Sequence, residues 1–135
     1  MKRRVLITLP IVAASALMLS ACGIADTISP PIQSALYETT ADAAGASGSL
    51  VLPSFVEADA TQIRLVTLDS RNAAIMTYAV PAVVATGEAC TPDQMAKLPV
   101  MDQTWWPQAL PDHGITCSGD WHLWAAGNQF YAWKS

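Results

Sequence analysis

The sequence predicts a small α+β domain, mostly antiparallel β with one short helix. Three observations carry that expectation: two alternating apolar runs joined by a polar turn, a second hairpin pattern in an aromatic tail, and one capped helix start between them. In the first pair, "TQIRLVTL" (61–68) sets Ile63, Leu65 and Thr67 against Arg64, Val66 and Leu68. "DSRN" (69–72) supplies a turn, and "AAIMTYAV" (73–80) continues with Ile75, Thr77 and Ala79 opposite Met76, Tyr78 and Val80. "CTPDQMAK" (90–97) offers Thr91 as N-cap, Pro92 at the first helical position and Asp93 in the first turn, with Pro99 beyond its end. Proline and glycine recur from Asp102 to Gly119, which reads as a long loop carrying Trp105, Trp106 and Cys117. In "DWHLWAAGNQFYAWK" a turn at Gly127-Asn128 separates strands over 121–124 and 130–133. Upstream, "LVLPSFV" (50–56) reads as an edge strand interrupted at Pro53.

The stretch 23–49 is rich in Ala, Ser, Thr and Gly, carries Pro30-Pro31 and lacks apolar periodicity. It reads as a flexible tether, about 25–30 Å in average reach, although a short helix over Ile32–Tyr37 is compatible with it. The first residues are of a different kind. "MKRR" places three basic residues at 2–4, and Val5–Leu19 follows as 15 residues without a charge. At about 1.5 Å per residue that run is too short to cross a hydrocarbon core of about 30 Å, and Pro10 weakens it further as a spanning helix. A basic start followed by an apolar run is the layout of an export signal.

Leu19-Ser20-Ala21-Cys22, directly after that run, resembles the lipobox of bacterial lipoproteins. The resemblance covers positions 1–22. It implies cleavage after Ala21 and a diacylglyceryl thioether on Cys22, which becomes the new N-terminus. Two acyl chains give stable anchoring where one alone gives marginal, reversible binding. The domain plan is then 1–21 signal peptide, 22–49 lipidated N-terminus and tether, and 50–135 folded domain, held on the extracytoplasmic face of the cell membrane. The C-terminal part is also similar to small uncharacterised lipoproteins of high-GC Gram-positive bacteria. The residues that carry this are Asp59-Ala60-Thr61 with Ile63, Cys90, Trp105-Trp106-Pro107, Cys117 with Gly119 and Trp121, and Tyr131-Ala132-Trp133. Ser118 departs from that pattern, standing where Cys-Gly would be adjacent, and the resemblance names no activity.

Without residues 1–21, Arg64, Arg71, Lys97 and Lys134 face all 11 Asp and Glu, a net charge of −7. So acidic a module lacks the basic patch that nucleic-acid binding needs and the polybasic segment that would lay it on anionic lipid. With Cys22 lipidated, Cys90 and Cys117 remain in an oxidising compartment, and a pair has a single connectivity. The expected disulfide closes about 27 residues and contributes about 3.5 kcal/mol in the chain-entropy model.

All five tryptophans lie between 105 and 133. Strand alternation puts Trp121 and Leu123 on one side and His122 and Trp124 on the other, with Phe130 and Ala132 opposite Tyr131 and Trp133. These rings read either as the core of a domain poor in Phe and Leu or as a recognition surface made of Trp105, Trp106, Trp124, Tyr131 and Trp133. Asp112, His113, Cys117, Asp120 and His122 are the only cluster of metal-ligand types, and His113-x3-Cys117-x4-His122 matches no standard zinc spacing. No G-x-S-x-G elbow and no phosphate loop occurs. The sequence therefore predicts a non-enzymatic, lipid-anchored module without cofactor or metal, binding an envelope protein or glycan. The alternatives are a wall- or glycan-binding module, a phage-type superinfection-exclusion lipoprotein, and a small enzyme or metal carrier centred on His113 and His122.

Overall fold

The computed structural model describes residues 32–135; the signal segment, Cys22 and the start of the expected tether lie outside the described residues. Among the described residues seven strands run β1 (Ile32–Thr39), β2 (Thr61–Leu68), β3 (Ala73–Ala79), β4 (Glu88–Ala89), β5 (Thr116–Ser118), β6 (Trp121–Ala126) and β7 (Gln129–Lys134). One helix, α1 (Pro92–Met95), follows β4. The strands form a single antiparallel sheet in the order β1-β2-β3-β7-β6-β5-β4. The domain is thus small and antiparallel β, and the helical share of the α+β expectation is confined to α1 and three short 3₁₀ turns. Among the described residues no helix is long and apolar enough to cross a membrane.

The two predicted hairpins form where the alternation places them. Asn72 closes the β2–β3 connection in the left-handed region at φ 50°, and Gly127 at φ 61° opens the two-residue β6–β7 turn. The segment read as a tether is different. Ile32–Thr39 pairs with β2 along its whole length, from Ile32 opposite Leu68 to Thr39 opposite Thr61, so the folded domain extends at least to residue 32. An edge strand pairs on one side only and buries little, so its apolar pattern is faint: Leu36 is 62 % exposed.

Residues 50–56 are not an edge strand. A 3₁₀ turn at Gly48–Leu50 leads into irregular chain, and Leu50, Leu52, Phe55 and Val56 pack down on the sheet as a cover. Side chain to backbone bonds fasten this cover, Tyr37 Oη donating to the Leu50 carbonyl at 3.2 Å and Thr40 Oγ1 to the Ala58 carbonyl at 2.7 Å. Beneath it lie Ile63, Leu65, Met76, Tyr78, Leu123, Phe130 and Ala132, all buried. The opposite face carries a second core, in which Val66, Ile75, Trp106, Trp124 and Trp133 are buried under Met101, Leu110 and Ile115 of the chain between α1 and β5.

Cys90 and Cys117 are joined with Cα atoms 5.0 Å apart. The bridge ties the residue before the α1 N-cap to β5, where the β4–β5 ladder has only two residue pairs. Gly87 enters that ladder at φ 84°, and a Cβ there would stand 2.7 Å from the Cys117 carbonyl oxygen, so glycine is required. Thr91 caps α1 as the sequence predicts. Its Oγ1 accepts from Gln94 N at 3.3 Å, and its own N–H donates to Gln94 Oε1 at 2.8 Å, a reciprocal capping box.

Candidate functional site

Antiparallel partners share a face, so the register lines up rows of side chains across the sheet. One row on the tryptophan face runs Leu36, Arg64, Thr77, Tyr131, Trp124 from β1 to β6. Its two ends differ. At the β6 end the rings are packed: Trp124 stacks on Tyr131 at 5.0 Å between centroids, meets Trp133 edge-on at 5.6 Å and Trp106 edge-on at 5.4 Å. Trp106, Trp124 and Trp133 are 6 %, 7 % and 1 % exposed. Three members of the recognition surface drawn from sequence are therefore core. Alternation assigns a residue to a face but does not tell which face the chain elsewhere will cover.

Trp105 and Tyr131 are the half-buried remainder, and they stand where the cover stops. Beyond them the sheet opens into a trough lined by Leu36, Glu38, Gln62, Arg64, Thr77 and Gln129, about 350 Å³ in volume. A second lobe of about 500 Å³ continues it along β1 past Ser34, Val66 and Gln103, sharing Leu36, Arg64 and Trp105. Both volumes lie in the range of small-ligand sites, about 300–1,000 Å³.

Several lining groups are held in place. Gln129 Nε2 donates to Thr77 Oγ1 at 2.6 Å, and the threonine hydroxyl donates onward to the Phe130 carbonyl at 2.8 Å. Tyr131 is fixed between Trp124 and the edge of Trp106, 6.0 Å away. Trp105 leans edge-on against Trp106 at 6.0 Å. Gln62 sits at φ 51°, where the β2 ladder shifts register between Thr61 and Arg64. A non-glycine residue in that region costs on the order of 1–3 kcal/mol, and such bulges re-aim side chains. Arg64 is the one cation and Glu38 the one carboxylate among the lining residues.

The histidine cluster is not assembled. Cys117 is in the disulfide, and Asp112, His113 and Asp120 are exposed. His122 is 1 % exposed, stacked on Trp133 at 4.3 Å. Its Nε2 is 2.7 Å from the Gln94 carbonyl and its Nδ1 3.4 Å from the Trp133 carbonyl. The shorter contact puts the ring proton on Nε2, and the imidazole pins α1 to β6. Among the described residues no three His, Cys, Asp or Glu side chains converge as a metal site would require.

One polar pair lies in the other core. Tyr78 Oη and Glu57 Oε2 are buried and neither meets hydrogen-bond geometry, while Thr86 Oγ1 donates to Glu57 Oε1 at 3.3 Å. Burial first, then the neighbouring Glu57 carboxylate, pushes the Tyr78 hydroxyl far above the ordinary tyrosine range.

Leu36 and Glu38 were hidden from sequence reasoning inside the expected tether, and Gln62, Thr77 and Gln129 looked like ordinary strand residues. The signal available was the alternation of "IQSALYET" (32–39), in which Ile32, Ser34 and Leu36 fall to one side of Gln33, Ala35 and Tyr37. No protein-family model matches this chain, and no curated protein or solved structure shows significant similarity to it.

Proposed function

We propose that this protein is a lipid-anchored, non-enzymatic binding module of the cell envelope, tethered through Cys22 and presenting the trough between Trp105 and β1 to its partner. The observation that carries the reading is the contrast within one aromatic cluster. Four rings are engaged in packing, yet Trp105, together with the Tyr131 edge, is left against a polar, half-open floor that no core requires. Rigid aromatic side chains beside fixed amides and one guanidinium provide contact area at low entropic cost. The lipobox resemblance supplies the anchor, and the net charge of −7 for residues 22–135 keeps the domain off anionic lipid.

Two experiments test it. Cys22→Ala should release the protein from membrane fractions; retention on the membrane overturns the anchor. A photo-crosslinking residue at Leu36, in full-length protein on intact cells, should give an adduct with an envelope macromolecule, whereas the same residue at Val51, exposed near the other face, should not. Absence of an adduct at Leu36, or equal adducts at both sites, overturns the trough as contact surface.

A further inference from the structure

We infer that the trough is a saccharide site, binding neutral pyranose rings on Trp105 with the edge of Tyr131 beside them. This rests on the binding reading above and names its ligand class. A pyranose presents an apolar C–H face and a rim of hydroxyls, each both donor and acceptor. The complementary surface is an aromatic ring flanked by planar polar side chains. The trough supplies that pairing: Trp105 and Tyr131 with the Gln62 and Gln129 amides, the Glu38 carboxylate and the Arg64 guanidinium.

Charge selects among ligands. Among the described residues one cation and one carboxylate line the trough, and the surrounding module is acidic. A phosphate-rich polymer would find a single guanidinium and a repulsive field, whereas neutral hydroxyls bond to both charged groups. Preorganisation points the same way. Gln129 is oriented through Thr77 and Tyr131 is clamped by two tryptophans, while Gln62 lines the trough from the bulge. Sites that discriminate hydroxyl patterns need fixed polar groups, because a misplaced one leaves an unmade hydrogen bond. A peptide would use the trough differently. It would add by main-chain bonds to the edge of β1 that has no neighbouring strand among the described residues, and such binding has no need of Trp105.

The test uses the full-length lipidated protein in nanodiscs and neutral hexose and N-acetylhexosamine oligosaccharides, with linear polyphosphate as the charged control. At least one oligosaccharide should bind with Kd below about 1 mM, and polyphosphate should not bind. Trp105→Ala should weaken that binding about tenfold or more, a loss of about 1.4 kcal/mol. Gln62→Ala and Glu38→Ala, both at exposed positions, should each weaken it severalfold without changing thermal stability, which keeps the result readable if Trp105→Ala unfolds. Trp121→Phe, in the other core, should leave it unchanged. The inference is overturned if no oligosaccharide binds, if polyphosphate binds instead, or if binding survives Gln62→Ala and Glu38→Ala. An adduct at Leu36 that persists without saccharide binding, and that Ala35→Pro on the β1 edge abolishes, would assign the surface to a peptide and leave the binding-module reading intact.

Discussion

The two faces of the sheet are covered to different extents, and the difference decides which aromatic rings pack and which reach solvent. On one face, residues 50–56 lay Leu50, Leu52, Phe55 and Val56 over Ile63, Leu65, Met76 and Phe130, and the cover continues toward β1 through Tyr37. On the other, the chain from Met101 to Ile115 covers β3, β7 and β6 and stops at Trp105. Beyond it, Arg64 and Leu36 meet solvent on the surface formed by the paired strands β2 and β1. The same residue type is thus core at Trp124 and rim at Trp105. What distinguishes them is their distance from the end of the cover, not their chemistry.

The largest effect should come from the packed part of the tryptophan face. Trp133→Ala removes a ring 1 % exposed that stacks on His122 and donates through Nε1 to the Lys97 carbonyl at 3.0 Å. Such a deletion costs about 3–5 kcal/mol, so chemical denaturation should show a domain close to unfolding. A loss below about 1 kcal/mol would mean that the face is not a core. Slightly smaller is the bridge. Replacing Cys90 and Cys117 together with Ala should cost about 3.5 kcal/mol in the chain-entropy model. The damage should concentrate at β4 and β5, whose shared ladder has only two residue pairs, and hydrogen exchange at Thr116–Ser118 should rise before that of β2 and β3.

The smallest effect at neutral pH belongs to the closed face. Tyr78→Phe deletes a buried hydroxyl that finds no partner of good hydrogen-bond geometry among the described residues and should be near neutral at pH 7. Its signature lies at alkaline pH. The folded-state pKa is raised, so the unfolded chain releases this proton first, near pH 10, and stability falls as pH rises beyond that by about 1.4 kcal/mol per unit. Tyr78→Phe should remove that slope; an unchanged alkaline slope would show that Tyr78 ionises normally in the fold.

Central features of the sheet were legible in the sequence because apolar runs of strand length are bounded there by clear turn and cap residues. β2 spans the residues whose alternation predicts it, the tail folds into the predicted hairpin, and Thr91 caps α1. β1 escaped because Ser34, Leu36 and Glu38 stand open on the trough side, so its composition resembles a linker. β4 and β5 escaped because a two-residue ladder within proline- and glycine-rich chain leaves no periodicity to read. The trough was illegible for a further reason. It is made by the register of β1, β2, β3 and β7 together with the place where a loop happens to stop, and neither is local. Of the two readings the aromatic cluster allows, the core one describes Trp106, Trp124 and Trp133, which are buried, while Trp105 and Tyr131 are half-buried.

The most direct measurement of whether the uncovered half of this face recognises a ligand is a ¹H–¹⁵N spectrum of the five tryptophan indoles and the glutamine side-chain amides during titration with the best-binding neutral oligosaccharide. Saturable shifts are expected at Trp105, Gln62 and Gln129, with Trp121 and Trp133 unmoved. Shifts centred on Trp121 would contradict the trough as ligand site, and so would no shift at Trp105.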